Sequence, residues 1–190
     1  KMREVFGKYP DDANVAVLFA ESLMNLHPWN LFVKDGTIQP WTSEIISVLK
    51  HALKIDSLNA GANHFFIHAV EMSLNPGEAL ASADLLLDLV PGAGHLVHMP
   101  SHTFIRTGLY HKGVLSNLKA VLVDSLYIEA CNAQGVYPLA YYPHNYHFLA
   151  ACATLSGETR NAIIGATETR LHAHKNLLSD PAWATLQHYY

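Results

Sequence analysis

Cysteine is scarce in this chain, and the two present, Cys131 and Cys152, form no CxxC or CxxCH pair. That excludes a zinc ribbon, a dithiol redox motif and covalent haem attachment as sequence motifs. Two alternatives stay open for the thiols: both reduced and buried, or joined in a single bridge. Charge is scarce too. Only 15% of the 190 residues are Asp, Glu, Lys or Arg, and the net charge is −4 with neutral histidines. Nucleic-acid binding therefore has no electrostatic basis here. No apolar run is long enough to span a bilayer, no cleavable signal pattern opens the chain, and no N-x-Ser/Thr sequon occurs. HExxH, a nucleophile elbow, a phosphate loop and a dinucleotide fingerprint are all missing, so no motif names a reaction. The chain opens at Lys1 rather than Met, which suggests a processed protein or a segment of a longer one. A soluble, secreted or periplasmic location is compatible with that start.

What the chain has in quantity is apolar surface and histidine. Half of its residues are hydrophobic, enough for a substantial core and against global disorder. Its thirteen histidines outnumber the twelve lysines and arginines. Protonating four of them cancels the net charge, so association and solubility should respond to pH near 6.

The histidines are ordered. His64 and His68 (HFFIH) are matched 34 residues later by His98 and His102 (HMPSH). A four-residue step sets both members of a pair on one helix face, a turn apart. A further pair, His144 and His147 (PHNYH), mirrors His95 and His98 (GHLVH) after 49 residues, one period plus a 15-residue insertion. His64, His98 and His147 thus read as one column through successive repeats.

Helix signals punctuate the rest. Residues 1–10 read as a partly helical lead-in, and Asp11-Asp12 as the start of a helix over 13–26, halted by His27-Pro28-Trp29. The following stretch to Trp41 is too rich in Pro, Gly and aromatics for a helix. Thr42, or Ser43, is expected to cap the next one, with Ile45, Ile46, Leu49 and Leu53 as its apolar stripe. Further helices are expected over 59–74, 77–90, 95–107, 111–131, 143–155 and 160–174. Their turns fall at Asn75-Pro76, Pro91–Gly94, Gly108-Leu109 and Ser156-Gly157. Pro100 predicts a kink beside His98 and His102. Residues 132–143 hold the insertion, and Pro181 is expected to open a last, capping helix.

A 34-residue period is that of the tetratricopeptide repeat, a helix–turn–helix unit. The run from Ala52 to Ala62 (ALKIDSLNAGA) resembles the end of such a repeat, with Ser57 where the family often has Pro. Arg106–Asp124 (RTGLYHKGVLSNLKAVLVD) resembles its Gly-x-Tyr-x-x-Ala run, with Gly113 in place of the alanine. The segments AGHLVHMPSH (93–102) and PHNYHF (143–148) are similar to a poorly described group of bacterial tetratricopeptide proteins. The resemblance implies an all-α, right-handed solenoid along 1–190, clearest over 42–175, with the first helix of each repeat lining a concave groove.

The seven column histidines (64, 68, 95, 98, 102, 144, 147) fall on those first helices. Imidazole is the commonest metal ligand and suits Zn, Cu, Fe or Ni, with Cu or Zn favoured here. Glu71 lies three residues after His68 and adds a carboxylate, and Met99 offers a thioether. The expected centre is therefore His64, His68, His95, His98, His102, His144, His147 and Glu71. Glu71 or Tyr142 are the side chains placed to manage protons if any chemistry occurs. Asn63, Asn117 and Asn145 read as groove hydrogen-bonders, and His27, His51, His111, His172, His174 and His188 as surface residues. The competing reading is a protein-interaction or self-assembling module with structural histidines. In it the groove takes a protein or peptide on anchors such as Trp29, Trp41, Tyr137, Tyr141 and Tyr142, or the array stacks head to tail into a filament.

Overall fold

Asp12 starts the first long helix as a carboxylate cap, accepting from the backbone N–H groups of Asn14 and Val15 at 2.9 and 3.2 Å. In the computed structural model, which describes residues 1–173, that helix is α2 (Ala13–Leu26), preceded by a short α1 (Met2–Lys8). There follow α3 (Thr42–Ile55), α4 (Ala60–Val70), α5 (Leu80–Leu89), α6 (Gly94–His98), α7 (Pro100–Arg106), α8 (Tyr110–Cys131), α9 (Tyr142–Ser156) and α10 (Thr159–His172). Among the described residues there is no β-strand, and one isolated antiparallel bridge joins Phe32 to Ile38. No helix there is long and apolar enough to cross a membrane. The fold is all-α. His174, His188 and the helix expected from Pro181 lie outside the described residues.

The described residues divide into two compact units: Lys1–Val90 with His102–Thr107, and Pro91–Ser101 with residues 108–173. In the first, α2 packs on α3, α3 on α4 and α4 on α5, so consecutive helices bury one another's apolar faces. Its core is made by Ala16, Ala20, Ile45, Leu49, Ala52, Ala62, Ile67 and Leu86, all fully buried. Small residues where α2, α3 and α4 meet allow that close approach. In the second unit α6 packs on α8, α8 on α9 and α9 on α10, around Val97, Met99, Val114, Ala120, Leu149 and Cys152.

Several local expectations need correction. Thr42 does not cap α3: the cap position is Trp41, and the buried Thr42 hydroxyl donates to the Leu31 carbonyl at 2.5 Å. The threonine ties the loop to the helix instead. The helix expected over 59–74 closes at Val70, with Glu71 at its C-cap, and the one expected from Gly77 starts as a 3-10 turn at Pro76–Ala79. At Pro100 the expected irregularity is present: α6 ends at His98 and α7 begins at Pro100, which lacks the N–H to continue the ladder, while Met99 between them keeps right-handed helical angles and bonds its N–H to the His95 carbonyl at 3.1 Å. Neither alternative for the thiols holds, since both are free but Cys131 is exposed while Cys152 is buried.

Candidate metal centre

Helix α4 sets His64 and His68 one turn apart, their ring centroids 5.0 Å from each other. His68 stands in the last turn, where the unpaired carbonyls of a helix end favour positive charge. Glu71 caps that end, its N–H bonded to the Ile67 carbonyl at 2.9 Å. Its carboxylate takes a hydrogen bond from His68 Nδ1 at 3.0 Å on one oxygen and from His102 Nδ1 at 2.5 Å on the other. Arg106, one turn beyond His102, donates to the Ser73 carbonyl at 3.3 Å and so ties α7 to the segment following α4.

The donor atoms of His68, Glu71 and His102 all lie within 4.8 Å of one another. Their side chains are only 10–14% exposed. Burial on its own would raise the Glu71 carboxyl, but His102 and then His68 outweigh it and hold the acid far below its usual range. The carboxylate is thus held ionised, and two imidazoles with one carboxylate form a donor set that suits a divalent ion.

The other expected ligands fall as follows. In the second unit His98 is fully buried, and its Nδ1–H donates to Asn117 Oδ1 at 2.7 Å while Asn117 Nδ2 donates to the Gly113 carbonyl at 2.8 Å. That chain of bonds puts the proton on Nδ1 and the lone pair on Nε2. The His144 ring lies 4.8 Å from that of His98, and the His95 ring 6.2 Å from it and 5.0 Å from Tyr141. His147 is half-buried beside Phe148, and burial lowers its tendency to protonate. Met99 is fully buried among core residues. Tyr142 is buried, with its hydroxyl 3.3 Å from that of Tyr146.

The asparagines are interior rather than groove residues. Asn63 donates to the Ser57 and Asn59 carbonyls, Asn117 orients His98, and Asn145 donates to Asp124 Oδ2 at 2.6 Å. Asp124 and the orienting role of Asn117 escaped the sequence reading. The available signal was a polar residue at every second step of the buried face Val114, Asn117, Val121, Asp124 of α8. Of the histidines read as surface residues, His111 and His172 are exposed and face Glu158 and Glu168, whereas His27 and His51 are half-buried. His27 stacks on Trp41 with centroids 3.8 Å apart, and His51 Nε2 bonds to the Pro10 carbonyl.

No protein-family model matches the chain, and neither does any curated protein or solved structure.

Proposed function

We propose that the chain is a tetratricopeptide-like helical scaffold whose first unit carries a transition-metal site built from His68, Glu71 and His102. One observation carries this reading: two imidazole nitrogens and a carboxylate converge within 4.8 Å, although His102 stands 31 residues from Glu71 in sequence. A buried ion pair adds little to stability once its desolvation is counted, so packing alone is a weak reason to assemble one. A cation at the end of α4 gains from the helix carbonyls as well as from Glu71. Two imidazoles and one carboxylate suit Zn, Cu, Fe or Ni. Three protein ligands also leave a coordination position open, as in zinc sites that bind a further ligand rather than closed structural ones. The tetratricopeptide part of the reading rests on the 34-residue register and on helices that pack consecutively within each unit.

Calorimetric titration of protein purified without a histidine tag, with Zn(II) and Cu(II) at neutral pH, tests the site. The parent should bind and melt at a higher temperature when loaded. His102→Gln and Glu71→Gln should each weaken binding by about tenfold or more, while His111→Ala should leave it unchanged. Ligand imidazoles must be unprotonated, so binding should release protons and weaken as the medium is acidified. A parent that binds neither metal, or triad variants that bind as well as the parent, would show these histidines to be structural.

A second reading, a surface for a protein partner or another copy of the chain, is favoured by a stripe of exposed leucines on α8, with Lys119 between the first two. Leu115, Leu122 and Leu126 share one helix face and are 53, 59 and 58% exposed.

A further inference from the structure

Trp29 stands at the third position of a tight turn, His27-Pro28-Trp29-Asn30, closed by the Asn30 N–H on the His27 carbonyl at 3.0 Å. Its φ is +58°. With Pro at the second position and a positive φ at the third, this is the turn that normally places Gly or Asn where Trp29 sits. The other described non-glycine residue with positive φ is Asn132, at the C-cap of α8, where asparagine commonly takes that conformation.

Everything around Trp29 is fastened. The His27 ring stacks on Trp41 at 3.8 Å, Trp41 Nε1 donates to the Asn30 carbonyl at 2.8 Å, and Gln39 Nε2 donates to Asn30 Oδ1 at 2.9 Å. Trp29 itself is 80% exposed. Its indole nevertheless stands edge-on to the His68 ring, with centroids 5.9 Å apart. A braced turn thus holds a bulky aromatic in an unfavourable backbone conformation, mostly in water, beside the triad. Core packing does not account for that placement, because so little of the indole is covered. Backbone outliers of this kind concentrate where a side chain must be presented to a ligand.

We infer that Trp29 is the wall of a small-molecule site whose floor is the metal bound by His68, Glu71 and His102. The ligand class is a small planar aromatic compound bearing a metal-coordinating oxygen or nitrogen. Its donor would take the open coordination position while its ring stacks on the indole. This rests on the metal reading above, and the two fail in different ways.

The test compares benzohydroxamate with acetohydroxamate on the zinc-loaded protein. They carry the same donor group, and only the first carries a ring. The parent should prefer benzohydroxamate by about tenfold, the scale of one well-placed aromatic contact. Trp29→Gly should abolish the preference while the protein still binds zinc. It should melt no lower than the parent, since glycine accepts the positive φ without strain. Trp29→Phe should keep most of the preference. Equal selectivity in the parent and Trp29→Gly, with zinc bound normally, overturns this inference alone. A lower melting temperature for Trp29→Gly also overturns it, by showing that the indole serves the fold. A parent that binds no zinc removes the metal reading and this inference with it.

Discussion

Asp124 is a fully buried carboxylate that accepts from the Tyr137 hydroxyl and from Asn145 Nδ2, each at 2.6 Å. Burial raises its pKa above the ordinary carboxylate value, and the two donors offset only part of that. A carboxyl whose folded pKa is raised binds its proton more tightly in the native state. The resulting stability is fully present below the unfolded pKa of about 3.9 and is lost as pH rises through the higher folded value. Asp124→Asn keeps the shape and removes the titration, so the variant should lose less stability than the parent as pH rises above about 4. Urea denaturation at intervals across that range measures the difference. Parallel curves would mean that the donors around Asp124 offset its burial fully.

At the level of elements, close approach depends on particular glycines. A Cβ added to Gly165 of α10 would lie 2.6 Å from the Ala150 nitrogen and 2.8 Å from the Tyr146 carbonyl oxygen, both in the backbone of α9. Backbone cannot step aside as a flexible side chain can, so the two helices must separate. Gly165→Ala should cost about 1–3 kcal/mol despite alanine's better helix propensity, readable as a lower denaturant midpoint. An unchanged or raised midpoint would show that the interface can yield. Gly94, which opens α6, is tighter still, since a Cβ there would meet Asp124 Oδ1 at 1.8 Å. The same scale explains an expectation that failed. Thr42 has the chemistry of a cap, yet a nearby loop carbonyl was the better partner for its hydroxyl.

For the whole chain, the open question is what the stripe on α8 meets. Leu115, Leu122 and Leu126 face water on a protein with only 15% charged residues and a net charge of −4. Little long-range repulsion opposes self-association, and protonation of a few histidines removes what there is. If copies pair through this face, light scattering should show mass rising with concentration, more steeply near pH 6 than at pH 8. Leu122→Glu should suppress that rise without altering helical circular dichroism. A parent that stays monomeric at every concentration and pH would assign the stripe to a different partner or to none.

Sequence by itself determined the class of structure and most of its punctuation. Apolar spacing, Asp12, Gly108, Gly157 and the prolines act within a few residues, and α2 and α8 fall where those signals put them. The end of α8 and the start of α9 were legible too, where Asn132 turns left-handed and Pro143 enters the first turn of α9. Sequence also named His68, His102 and Glu71, but among eight candidates in which His64 and His98 stood level with the two histidines and Glu71 was only an added carboxylate. Periodicity says which face of a helix a residue occupies, not which neighbouring helix that face meets or at what distance. Tertiary structure alone decided that Glu71 receives both imidazoles, that Asn117 rather than a metal takes His98 Nδ1, and that Cys131 is exposed. It also gave Trp29 a backbone conformation that no local preference would choose. Hydrogen bonds contributed by Trp41 and Gln39, along with the stacked His27 ring, hold the turn in place, and a residue's own neighbours in sequence cannot announce such help.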